Sequence, residues 1–287
     1  MTTVASPAAA GPIGPAAPES ANDDPLTART RAIWTAGDFA AIARGYATGA
    51  GLFVDRLALR TGLAVLDVAC GAGNLTIPAA RTGASVTGLD IAPNLIAAAE
   101  ADAAAARVRV RFEVGNAEAL PFADDAFDVS MSMFGAMFAA RPQLVARELF
   151  RVTRAGGTVA MANWTPGSFI GTMLRAHVAA APPPAGAPSP LAWGDPAQVA
   201  ERLGGGVSVL ECSPRSIAFR YPMPPRAVVR LFAEAYGPTI MTLRAAGPER
   251  GAVLLAELER LWTEANTVSD GTTVVWSDYL EIVARVR

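Results

Sequence analysis

Val65-Leu66-Asp67-Val68-Ala69-Cys70-Gly71-Ala72-Gly73 is a short apolar run that stops at two glycines. From Ala64 to Ala69 it lacks the in-and-out alternation of a half-exposed strand, which suits a strand buried on both faces of a parallel sheet. Gly71 and Gly73 let the backbone turn sharply and approach a ligand with no Cβ in the way. Downstream, Asn74 to Arg81 reads as a helix and Ser85 to Asp90 as a second strand with Val86 and Leu89 inside. Pro93 suits the first turn of a helix continuing through Leu95 to Glu100. Val108 to Val114 and Ala126 to Met133 read as the third and fourth strands, and Gly157 to Trp164 as the fifth. Before the fifth, Gln143 to Arg154 is helical, with Leu144, Val145, Leu149 and Val152 on its apolar side. Strands alternating with helices imply right-handed βαβ units and an α/β, doubly wound sheet.

The flanks read differently. Residues 1–25 are rich in Ala, Pro and Gly, lack the basic and apolar regions of a signal peptide, and are expected to be a disordered tail, with order starting near Thr27. Residues 26–59 carry helical spacing and form an expected N-terminal cap; residues 60–164 are the core. Residues 165–287 are expected to supply lid helices and the last sheet strands. Their helices read as Ser168 to Ala180, Asp195 to Leu203 with Asp195 as N-cap, Arg226 to Tyr236, and Gly251 to Ala265. Val207 to Tyr221 is strand-like with a bend near Ser213-Pro214, and Thr272 to Arg285 is strand-like with a break at Ser277-Asp278.

Composition narrows the chemistry. The 287 residues are 52% hydrophobic and 17% charged, with a net charge of -2, so no nucleic-acid partner is expected. No lysine occurs: all 24 cationic residues are arginine. That rules out a Schiff-base lysine, a P-loop lysine and a kinase lysine. Two cysteines and one histidine cannot assemble the usual repeated-pair zinc site, and the cysteine usage suits a reducing cytoplasm. No uninterrupted apolar stretch reaches membrane-spanning length, so no membrane partner is expected.

Asp90 ends the second strand, 17 residues after Gly73. A carboxylate there can accept hydrogen bonds from both hydroxyls of a ribose. A dinucleotide fingerprint wants Gly or Ala at the position held by Thr76, which disfavours an NAD-dependent oxidoreductase. S-adenosylmethionine (SAM) has no pyrophosphate, and a two-glycine turn gives room for its methionine moiety and ribose.

Residues 65–73 resemble the first motif of class I SAM-dependent methyltransferases, and Thr87 to Pro93 resembles the acidic motif that follows it. Phe112 to Phe122, Phe127-Asp128-Val129, Glu148 to Val152 and Gly156-Gly157 resemble, in order, the later blocks of the type 11 branch. Trp34 to Phe39 and Trp193-Gly194 are similar to a subgroup of small bacterial methyltransferases. The resemblance implies a Rossmann-like, doubly wound, mostly parallel seven-stranded sheet with N-terminal helices and helical lid insertions. It implies SAM as cofactor and S-adenosylhomocysteine as product. It places Ala69, Gly71 and Gly73 under the methionine part, Asp90 on the ribose, Ile91 against the adenine face, and Asn116 and Ala117 at the adenine edge, with Phe134 bordering the transferred methyl. The family often has Asp where this chain has Asn116, so weaker or retuned binding is expected.

The implied partner is a small-molecule methyl acceptor with an O, N, S or C nucleophile. Trp34, Tyr46, Met137, Phe138, Phe169 and Met173 are the expected substrate-pocket residues. Met131, Met133 and Met137 with Phe134 and Phe138 read equally as core packing or as an adaptable apolar wall. His177 shares a helix face with Phe169 and Met173 and is the candidate general base, against a purely structural reading. Asp38, Tyr46, Tyr236 and Asp278 are weaker candidates. No metal is expected, because Asp124, Asp125 and Asp128 sit at the wrong end of the fourth strand. The alternative is a non-methylating SAM-binding or auxiliary protein on the same fold. The oligomeric state stays open, a homodimer included.

Overall fold

The computed structural model describes residues 24–287, so the expected tail lies outside the described residues up to residue 23. Order begins earlier than Thr27: Asp24 caps helix α1 (Pro25–Thr35), its side chain accepting from the Leu26 and Thr27 amides. Helices α2 (Phe39–Ala43) and α3 (Ala47–Arg56) complete the N-terminal segment.

The core alternates strand and helix: β1 (Ala64–Val68), α4 (Thr76–Arg81), β2 (Ser85–Asp90), α5 (Pro93–Ala105), β3 (Arg111–Val114), β4 (Phe127–Met133), α6 (Pro142–Val152) and β5 (Thr153–Trp164). Then come α7 (Phe169–Ala180), α8 (Pro196–Leu203), β6 (Val207–Tyr221), α9 (Pro225–Ala235), α10 (Gly237–Ala265) and β7 (Thr273–Val286). The sheet has seven strands in the order β3-β2-β1-β4-β5-β7-β6. The pairs among β1 to β5 are parallel, whereas β7 runs antiparallel to both β5 and β6. This is the mostly parallel, Rossmann-like sheet that the sequence implies. Val65, Leu66 and Val68 are fully buried, as a central strand covered on both faces requires. Strand order reverses between β1 and β4, and a ligand crevice opens at such a switch point, beyond the strands' carboxyl ends.

Several boundaries differ from the sequence reading. The third strand is shorter, beginning at Arg111. β5 begins at Thr153 instead of Gly157, pairing Thr153 with Phe127 before the register jumps to Thr158 and Val129. Gly156 has φ +74° in that excursion, and a Cβ on Gly157 would sit 2.7 Å from the Arg154 carbonyl oxygen. β6 stays paired through Pro214, opposite Leu280. It is an edge strand, where a missing N–H breaks no inner ladder. β7 is unbroken at Ser277, which is buried and accepts from the Ile170 amide at 3.1 Å. α10 begins fourteen residues before Gly251, since Pro238 occupies a first-turn position; the helix is broken internally at Gly247 (φ +74°) and Pro248.

Candidate active site

The turn after β1 holds three residues in the left-handed region: Ala69 (φ +57°), Gly71 (φ +55°) and Gly73 (φ +89°). Phe134, just after β4, is a fourth at φ +58°. A Cβ on Gly135 would lie 2.5 Å from the Ala69 carbonyl oxygen, so these two turns touch only because Gly135 has none. Between them lies a cleft. Asp90 anchors its far wall: one carboxylate oxygen accepts from the Gly71 amide and the other from the Ala92 amide, each at 2.9 Å. Each oxygen retains a second lone pair for a ligand hydroxyl.

Among the described residues lining the cleft are the carboxylates Asp67, Asp90 and Glu118 and no arginine, lysine or histidine. Asp67 receives the Thr76 hydroxyl on Oδ2 at 2.5 Å, whereas its Oδ1 is buried without a partner. Burial pushes Asp67 up to about 7, with the Asp90 charge adding to the effect. Burial also raises Asp90, against the amides that stabilise its anion. Cys70 is pushed well up by burial and by both carboxylates, so it is a thiol and a poor nucleophile. The charged side chains in the described lining are all acidic, which favours a cation over an anion.

Helix α1 covers one end. Thr27 and Thr30 line the cleft. The Asn116 amide nitrogen donates to Thr27 Oγ1 at 3.2 Å, and its oxygen accepts from the Glu118 amide at 3.0 Å. Arg141 bridges outward from Glu118 (2.8 Å) to Asp24, the α1 cap.

A second, smaller chamber adjoins the cleft, and Trp34, Phe39, Tyr46, Phe134 and Phe138 line both. Trp164, Phe219, Phe232 and Tyr236 make nine aromatic side chains around it, with Ile42, Ile170 and Met173. Phe134 stacks on Trp164, and Tyr46 meets Phe134 edge-on at 5.7 Å.

Residues 66–161 match the methyltransferase domain family model. An uncharacterized Mycobacterium tuberculosis protein is 39% identical over 274 residues, covering 92% of this chain and 97% of its own. A demethylmenaquinone methyltransferase of Renibacterium salmoninarum is 34% identical over 118 residues, 41% of this chain and 48% of its own. In fold, a Haemonchus contortus phosphoethanolamine N-methyltransferase solved with S-adenosylhomocysteine superposes with a TM-score of 0.52 at 17% identity, over 83% of this chain and 52% of that one. The chain belongs to the class I SAM-dependent methyltransferases.

In this methyltransferase Ala69, Gly71, Asp90, Ile91, Asn116, Ala117 and Phe134 all line the cleft; Gly73 shapes the turn without lining it. Trp34, Tyr46, Phe138 and Met173 line the chamber. Met137 and Phe169 border neither cavity: Met137 is buried in the core, and Phe169 packs edge-on against Trp262 at 4.7 Å. His177 also lies away from both. Its Nδ1 donates to the Met173 carbonyl at 2.7 Å and its Nε2 accepts from the Thr239 hydroxyl at 2.8 Å, so neither nitrogen is available as a base. Burial lowers its pKa and keeps it neutral. The methyltransferase spends Asp38 on capping α2 and Asp278 on accepting from Ser216, whereas Tyr236 enters the chamber wall. Asp124 and Asp128 pair with Arg151 and Arg154. Sequence reading missed Asp67, Thr27, Thr30 and Phe39. Only Asp67 carried a signal, as the one charged residue in an otherwise apolar buried strand. Among the described residues no helix is long and apolar enough to cross a membrane.

Proposed function

We propose that this methyltransferase binds SAM in the cleft and methylates a small, mostly apolar molecule held in the aromatic chamber. The observation that carries this reading is the pair of buried carboxylates, Asp67 and Asp90, facing a cleft whose described lining has no cationic side chain. Bound SAM supplies a methyl group already activated on a sulfonium. Asp90 accepts the ribose hydroxyls through the lone pairs its amide bonds leave open. Asp67 offers its unpartnered oxygen to the ammonium of the methionine moiety. Ile91 and Ala117 flank the adenine. Asn116 keeps one lone pair on an oxygen already bonded to the Glu118 amide, which suits the retuned adenine contact expected from an amide at this position. Phe134 and Tyr46 stand where cleft and chamber meet, and the surrounding rings exclude water and hold the acceptor in line.

Calorimetric titration with SAM, S-adenosylhomocysteine and NAD in parallel tests the cofactor. Binding of the first two and not of NAD is the expected result; binding of NAD alone overturns the reading.

A further inference from the structure

Resting on that reading, we propose that the acceptor is a small apolar amine that reacts through its uncharged free base. Every described side chain lining the chamber is aromatic or aliphatic, and the only heteroatoms they bring besides Met173 sulfur and indole N–H groups are the hydroxyls of Tyr46 and Tyr236. Burial pushes both phenols further from ionising, so neither takes a proton from an acceptor near neutral pH. His177 is engaged elsewhere, and the chain has no lysine.

An alcohol or a carbon acid would need a base that the chamber lacks. A thiolate or phenolate would arrive ionised. It would then enter a low-dielectric space with no counter-charge, among rings whose faces carry negative quadrupole. A neutral amine needs neither. Its lone pair forms the N–C bond as the C–S bond breaks, and the electron pair of that bond stays on sulfur. For a tertiary amine no proton moves; a secondary amine gives a tertiary ammonium that leaves with its N–H proton. The positive charge passes from sulfonium to nitrogen, and aromatic rings favour it in both places.

The test uses the protein loaded with S-adenosylhomocysteine, titrated with phenyltrimethylammonium and with tert-butylbenzene, a pair alike in shape and different in charge. The cation is expected to bind about tenfold more tightly. Tyr236 lines the chamber and not the cleft. Tyr236→Leu should narrow that preference at least about threefold, and Tyr236→Phe, which keeps the ring, should preserve it. Equal or tighter binding of the hydrocarbon overturns the proposal. So does a preference untouched by Tyr236→Leu, which would place the cation against the cleft carboxylates instead. Failure of S-adenosylhomocysteine to bind in the loading step overturns the cofactor reading, and it is seen before either probe is added.

Discussion

Phe134 lies flat on Trp164, with ring centroids 3.5 Å apart and planes 10° from parallel. Phe134 belongs to both cavities, and Trp164 only to the chamber. On the proposed reading, the stack transmits the position of the acceptor wall to the residue assigned to border the transferred methyl. Trp164→Leu should lower kcat/KM for an acceptor about tenfold or more, because a small misplacement of the nucleophile is costly. SAM affinity should stay within about threefold in calorimetry, since Trp164 is absent from the cleft. Truncating a side chain that is 4% exposed should also cost roughly 2 to 4 kcal/mol in denaturant unfolding.

If Asp67 meets the cofactor's ammonium as proposed, it couples cofactor binding to protons. Its carboxyl is raised to about 7 in the folded protein, whereas the cationic cofactor favours the ionised form. SAM should therefore bind about tenfold more tightly at pH 8 than at pH 6, with proton release visible as a buffer-dependent calorimetric enthalpy near pH 7. The stability of the ligand-free protein runs the other way. The folded state holds a proton that the unfolded carboxyl, at its ordinary 3.8, has lost, so stability falls as pH rises from about 4 to about 7. Asp90 is raised as well and adds in the same direction. Asp67→Asn should flatten both dependences while weakening SAM binding; an unchanged pH slope in that variant would remove Asp67 from the coupling.

The cleft was readable because the residues that shape it lie close together in the chain. Gly71, Gly73 and Asp90 lie within one βα unit and its neighbouring strand end, where backbone conformation and spacing carry the chemistry. The chamber was legible only in part, because its walls come from α1, α2, β5, α7, β6 and α9 and meet only after folding. Helical spacing put His177, Phe169 and Met173 on one face, yet only Met173 reaches the chamber. His177 turns toward Thr239, in the fourteen residues of α10 before Gly251 that the sequence pattern does not mark as helix, and Phe169 toward Trp262 of the same helix. Thr27 and Thr30 gave no sign of a role because nothing local says that α1 lies over the cleft.

The α1 end of the cleft is held by charge. Asp24 caps α1 and pairs with Arg141, which also pairs with Glu118 beside the cleft. Arg141→Ala should release that end of the helix and speed dissociation of S-adenosylhomocysteine about five- to twentyfold, read by stopped-flow displacement. Global stability should fall by roughly 1 to 3 kcal/mol, because the Asp24 pair is partly exposed, whereas the buried Glu118 carboxylate keeps only its bond from the residue-141 amide. High salt should reproduce part of the effect in the unaltered protein. A dissociation rate unmoved by both salt and substitution would mean that α1 does not gate the cleft.

His177 is a structural group with a pH signature of its own. Its folded pKa lies below the ordinary 6.5 because burial disfavours the imidazolium. The unfolded chain therefore binds the extra proton first, and stability present above about pH 6.5 is lost as pH falls below it. His177→Gln should remove most of that acid-side loss. It should also lower stability at pH 8 by roughly 1 to 3 kcal/mol, because the bonds to the Met173 carbonyl and the Thr239 hydroxyl are disturbed inside the core. The shape of the pH–rate profile should not change, because neither ring nitrogen faces the chamber. Loss of an ionisation from that profile in His177→Gln, at unchanged fold, would return the residue to the reaction.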